Sequence, residues 1–157
     1  MRTLNKLLAC TMALAGPLSL WAQTESEPND AFNQANAITL GTAMNGDIGG
    51  APCASGTSED YFILNLAQDG KLNINTHAAN SGASGSGLRI YVYNAGGGQI
   101  GYFDHDTGPN GVPISVGSSM TCLNKGIYYF RPWRLNGGVC YTYALTVTRT
   151  APVYSDD

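Results

Sequence analysis

The chain has 157 residues, of which 12% are charged, with 20 glycines and a formal net charge of −3. An acidic balance excludes a nucleic-acid-binding surface, which would need clustered Lys and Arg. Abundant glycine, scarce charge and short runs of Tyr, Thr, Val and Ile point to a turn-rich, all-β chain, long enough for one domain with a sizeable core.

At the N-terminus, Arg2 and Lys6 precede an apolar run from Leu7 to Trp21 that is broken by Thr11, Ser19 and Gly16-Pro17. The run is too short to cross a bilayer and reads as a secretion signal cleaved after Ala22, with Leu20 a larger residue than usual at the −3 position. Leu7-Leu8-Ala9-Cys10 looks like a lipidation signal, but three apolar residues before Cys10 leave almost no hydrophobic region. No other stretch has the length and apolarity of a membrane span. The expected layout is a leader over residues 1–22, a domain over 23–149 and a short polar tail over 150–157. Loss of Arg2 and Lys6 with the leader takes the formal charge two lower, to −5. The mature protein is expected to be soluble and secreted, to the periplasm or outside the cell.

Directly behind the leader, Glu25-Ser26-Glu27-Pro28-Asn29-Asp30 packs three carboxylates and an amide into six residues. Oxygen donors at this density suit a hard cation, and Glu25, Glu27, Asn29 and Asp30 are candidate ligands for calcium. The competing reading is a solvated acidic linker. Ala31 to Ala37 is the only stretch with a hint of helical periodicity.

From Ile38 onward the chain is a series of short alternating runs separated by turn residues. Phe62, Leu64 and Leu66 share one face of a strand, and Tyr61, Ile63 and Asn65 the other. Leu72, Ile74 and Thr76 repeat the pattern after Gln68-Asp69-Gly70, a hairpin signal. Asn80 to Gly87 is a Gly/Ser-rich loop. Leu88, Ile90 and Val92 then alternate with Arg89, Tyr91 and Tyr93, Asn94 to Gly98 turns the chain, and Gln99 to Phe103 forms a short strand. Asp104 to Gly111 is a polar loop whose Asp-x-Asp start resembles a calcium loop, although Ser115 stands where an EF-hand needs its bidentate Glu. Val112 to Leu123 holds one or two strands, and Asn124-Lys125-Gly126 turns the chain again. Gly126 to Arg134 and Val139 to Thr148 read as a closing hairpin around Leu135-Asn136-Gly137-Gly138. About eight strands with no fixed repeat predict a two-sheet antiparallel β-sandwich of jelly-roll type.

In an oxidising compartment, Cys53, Cys122 and Cys140 predict one disulfide and one leftover thiol. The closing hairpin would hold Cys122 and Cys140 apart and make Cys53 the common partner. Cys53 with Cys140 is the preferred pairing. The three thiols lack the close paired spacing of a zinc site, and His77 and His105 stand alone.

The order Glu25 to Asp30, Ala35-Asn36, a glycine within Gly46 to Gly50, Asp60-Tyr61-Phe62-Ile63-Leu64, Gly70-Lys71-Leu72, Leu88 to Tyr93, Gly126-Ile127-Tyr128-Tyr129-Phe130 and Tyr143-Ala144-Leu145-Thr146-Val147 resembles the bacterial pre-peptidase C-terminal domain. The collagen-binding modules of clostridial collagenases belong to the same group. The resemblance runs from Glu25 to Thr148 and implies a calcium-stabilised accessory β-sandwich, used for substrate attachment or for export of a secreted peptidase. It adds Asp60, at the start of a strand, to the ligands Glu25, Glu27, Asn29 and Asp30. Where the family often has a further acid, this chain has Ser58, with Glu59 beside it, so the ligand set is one short or shifted. Because little lies outside the resemblance, the module is expected to act without an attached peptidase.

On the last strands, Tyr128, Phe130 and Pro132 facing inward would leave Tyr129, Arg131 and Trp133 outside, with Tyr91 and Tyr93 on the outer face of another strand. These five are candidate ligand-binding residues for an extracellular protein, collagen-like or otherwise fibrous, or a polysaccharide. The competing reading has the rings packed under a loop. The chain has no Gly-x-Ser-x-Gly elbow, His-Glu-x-x-His helix or phosphate loop, so no enzyme activity is expected. Two functions remain: a secreted, non-catalytic binding module, or a structural or processing module for a separate secreted peptidase with no ligand beyond calcium.

Overall fold

A computed structural model of the chain describes residues 22–49, 59–82, 87–135 and 139–152. The strands are β1 (Gln23–Thr24), β2 (Asn36–Ala37), β3 (Ala43–Ile48), β4 (Phe62–Leu66), β5 (Gly70–Asn80), β6 (Gly87–Asn94), β7 (Gln99–Asp106), β8 (Ile114–Leu123), β9 (Gly126–Arg134) and β10 (Tyr141–Thr150). They form two five-stranded sheets packed as a sandwich. The back sheet has the order β1-β3-β10-β5-β8 and the front sheet β2-β4-β9-β6-β7.

Period-two alternation builds this core as expected. Phe62, Leu64 and Leu66 of β4, Leu88, Ile90 and Val92 of β6, and Phe130 of β9 point inward from the front sheet. Leu72 and Ile74 of β5 and Leu145 and Val147 of β10 meet them from the back. Each such side chain removed from water contributes roughly 1.5–3 kcal/mol before the loss of chain entropy is counted.

Two expected hairpins are absent. β4 and β5, on either side of Gln68-Asp69-Gly70, lie in different sheets, and so do β9 and β10. The reason is that a strand alternates identically whether the chain folds back beside it or steps across the core to the facing sheet. The hairpin at Asn94 to Gly98 does form. Its turn is closed by Asn94 N–H to Gly98 O at 2.9 Å, Asn94 Oδ1 accepts from the N–H groups of Gly96 and Gly98, and Gly97 takes the left-handed φ of 78°.

The expected polar loop begins as strand. β7 continues to Asp106 and buries His105 between the sheets, with Nδ1 2.8 Å from Thr76 Oγ1 and Nε2 2.9 Å from Ser118 Oγ. The hint of helix at Ala31 to Ala37 resolves as a single 3-10 turn, Phe32–Gln34, followed by β2. Cys122 is a free, exposed thiol and does not pair with Cys140. The two sit near opposite ends of β5, whose Lys71 faces Cys122 and whose Asn80 faces Tyr141. Cys10, Cys53 and Ser58 lie outside the described residues, as do nearly all of the leader and the end of the tail. Among the described residues no helix is long and apolar enough to cross a membrane.

Candidate metal centre and aromatic face

The main ladders are antiparallel, but the N-terminal segment adds a short parallel pair to each sheet. β1 runs beside β3 at the edge of the back sheet, and β2 runs beside β4 at the edge of the front sheet. Residues 25–35 therefore cross the open side of the sandwich like a strap. Asn36 fastens it, its Oδ1 accepting from Ser26 N–H at 2.5 Å and its Nδ2 donating to Ser26 O at 3.1 Å. The acidic run sits on the crossing, where a carboxylate from the strap can meet groups from both sheets.

One oxygen each from Glu25, Glu27 and Asp60 gathers within 4.8 Å. That spread suits oxygen ligands placed around one calcium ion at about 2.3–2.6 Å. Asp60 is completely buried two residues before β4, and Tyr143 of β10 donates a 2.5 Å hydrogen bond to its Oδ2. Tyr143 Oη also lies 3.3 Å from Glu25 Oε2, and Glu25 Oε1 accepts from the Asp47 N–H at 2.6 Å. Asn29 is completely buried as well; its backbone N–H donates to Glu27 Oε2 at 3.1 Å and its carbonyl accepts from Tyr61 N–H at 2.9 Å. Two buried oxygens, Asn29 Oδ1 and Asp60 Oδ1, have no hydrogen-bond partner.

Burial pushes the Asp60 carboxyl up to about 8, with the charges of Glu25, Glu27 and Asp47 adding to the rise and the Tyr143 hydrogen bond opposing it. Glu25 is raised too, mainly by burial. Neither of the described salt bridges reaches this cluster. Mutual repulsion and unshared lone pairs are what a divalent cation would relieve, and the donor set is all oxygen, so the residues fit calcium. Gly46 makes room for the arrangement: a Cβ there would sit 2.6 Å from both Glu25 Oε2 and Tyr143 Cζ.

Of the five expected ligands, Glu25, Glu27, Asn29 and Asp60 come together. Asp30 is exposed and turned away, its Oδ1 accepting from the Glu59 N–H at 3.1 Å. Tyr143 and Asp47 escaped sequence reasoning. Asp104 and Asp106 form no such cluster among the described residues; Asp104 is bound twice by Arg89, at 2.6 and 2.7 Å.

Tyr129, Arg131, Trp133, Tyr91 and Tyr93 all lie half-buried on the outer face of the front sheet. The register sets Tyr93 opposite Tyr129, Tyr91 opposite Arg131 and Arg89 opposite Trp133. Phe32, from the strap, stands on one end of this face with its ring 4.8 Å from Tyr61, 5.2 Å from Tyr93 and 4.9 Å from Tyr129. Packing beneath a loop and an open face thus coexist, because Phe32 covers the Tyr93–Tyr129 end while Tyr102 at the far edge is 51% exposed. Arg131 lies against Trp133 at 4.4 Å, Tyr61 at 5.5 Å and Tyr91 at 5.7 Å, and forms an ion pair with Glu59 at 2.7 Å.

Against solved structures, the chain matches the pre-peptidase C-terminal domain of a collagenase from Bacillus anthracis with a TM-score of 0.50 and 22% identity, over 73% of this chain and 94% of that one. The fold is that of a pre-peptidase C-terminal domain. Matches with lower scores include a family 35 carbohydrate-binding module from Clostridium thermocellum, at 0.43 and 21% identity over 59% and 70% of the two chains. Another is a CBM22-1 xylan-binding domain from Paenibacillus barcinonensis, at 0.40 and 10% identity over 57% and 65%. No protein-family model and no curated protein sequence matches the chain. The first match agrees with the motif order in the sequence and covers 73% of the chain.

Proposed function

We propose that this chain is a secreted, non-catalytic β-sandwich module, exported after loss of residues 1–22 and stabilised by calcium. It binds an extracellular protein or polysaccharide through Tyr129, Arg131, Trp133, Tyr91 and Tyr93. The observation that carries the metal part is the pair of unpartnered buried oxygens, Asn29 Oδ1 and Asp60 Oδ1, beside the carboxylates of Glu25 and Glu27. In this reading Glu25, Glu27, Asn29 and Asp60 hold the ion, and Asp30 clasps the Glu59 backbone. The cation ties the strap to both sheets and closes the open side of the sandwich. The expected disulfide of Cys53 with Cys140 belongs to the same proposal.

The binding part rests on the strip of rings and guanidinium groups, which offers rigid contact area with polar tips. Replacing Trp133 and Tyr129 together by Ala is expected to abolish retention in a screen of collagen, other fibrous proteins and polysaccharides while the melting curve keeps its shape. Undiminished retention would remove this face from the account. A second reading, an accessory module for a separate secreted peptidase, is favoured by Phe32, which covers part of the face. Failure of the native protein to be retained by any probe, together with capture of a secreted peptidase, would support it.

A further inference from the structure

Resting on the reading of the front face as the binding surface, we infer that its ligand is a linear, uncharged polysaccharide. The first ground is charge. The two cations on this strip are each neutralised within it, Arg131 by Glu59 at 2.7 Å and Arg89 by the two-pronged contact with Asp104. A polyanion would have to displace both carboxylates and approach a mature chain of formal charge −5, two below the −3 of the full sequence.

The second ground is the order of groups. Running across β9, β6 and β7, Trp133 and Tyr91 flank the Arg131 guanidinium at 4.4 and 5.7 Å, and Tyr91 and Tyr102 flank that of Arg89 at 5.8 and 4.4 Å. Rings therefore alternate with paired donors and acceptors. An uncharged sugar presents this same alternation, an apolar C–H face for stacking and hydroxyl groups around its rim that both donate and accept.

A peptide fits the strip less well. β9 and β6, which carry Trp133, Arg131, Tyr91 and Arg89, are inner strands whose backbone groups are engaged by neighbours on both sides, so a strand could be added only at the outer edge of β7, beyond these four residues. A proline-rich helix needs a slot between parallel rings, whereas Tyr91 and Tyr102 are tilted by 51° and the Arg89 guanidinium lies over both.

The test is affinity electrophoresis of the full mature protein in gels holding mixed-linkage β-glucan, xylan, polygalacturonate or a triple-helical Gly-Pro-Hyp peptide. Retardation by a neutral glycan is expected, changing by less than about twofold between about 0.05 and 1 M salt. Tyr102→Ala, at an exposed edge position, is expected to weaken it about tenfold or more with no change in melting. Retardation by polygalacturonate or the peptide but by no neutral glycan, lost in Tyr102→Ala, would overturn the uncharged-polysaccharide inference and leave the binding face standing. No retardation by any probe would overturn both.

Discussion

Glu59 pairs with Arg131 at 2.7 Å, one residue before Asp60 turns the other way into the acid cluster. The strap repeats this division: Asn29 faces the cluster, Asp30 holds the Glu59 N–H, and Phe32 packs on the rings. Neighbouring residues of two short segments thus divide between the acid cluster and the aromatic face. Calcium binding to the mature protein, from which Trp21 is lost with the leader, is expected to change the fluorescence of Trp133, which stacks on Arg131. Glu59→Gln is expected to remove the change while leaving calcium binding measurable by calorimetry, and to lower stability by about 1 kcal/mol.

Gly46 faces Tyr143 across the β3–β10 ladder. Gly46→Ala places a methyl group against Tyr143 and Glu25, and is expected to destabilise the fold by about 1–3 kcal/mol. Part of that loss should fall on the metal centre, so calorimetry is expected to show at least about tenfold weaker calcium binding. Unchanged affinity would detach Glu25 from the site.

Burial holds the His105 imidazole below its usual value of 6.5, against the pull of Asp104 and Asp106. Unfolding frees this group to take a proton, so its contribution to stability is present above about 6.5 and is lost as pH falls below it. His105→Gln is expected to flatten the slope of stability against pH in that range, read from denaturant midpoints at several pH values. In chelator, the raised Asp60 carboxyl works in the opposite direction. The folded state binds its proton more tightly than the unfolded state does, so stability declines as pH rises from about 4 toward 8.

Much of the sandwich was legible because alternation is local: the inward sets of β4, β6 and β9 follow from residues two apart. Sheet membership was not, since β4 and β5 bury equivalent patterns against one core from opposite sides. The strap ligands could be seen as a dense run of oxygens, and Asp60 was reached through a resemblance of motif order. Tyr143 lies 83 residues from Asp60 and carries no sign of its role, because a tyrosine facing the core looks like any other apolar position until the acid beneath it is known. Phe32 was missed for a related reason: it belongs to a single 3-10 turn, where no periodicity says which way a ring points.

Whether a cation holds the strap across the sandwich is tested most directly by thermal melting of the mature protein in millimolar calcium and in chelator. At calcium about a hundredfold above its dissociation constant, binding to the folded form alone adds about 2.7 kcal/mol, raising Tm by roughly 5–15 °C. Asp60→Asn is expected to abolish that difference. Superimposable melting curves of the native protein in calcium and chelator would contradict the account.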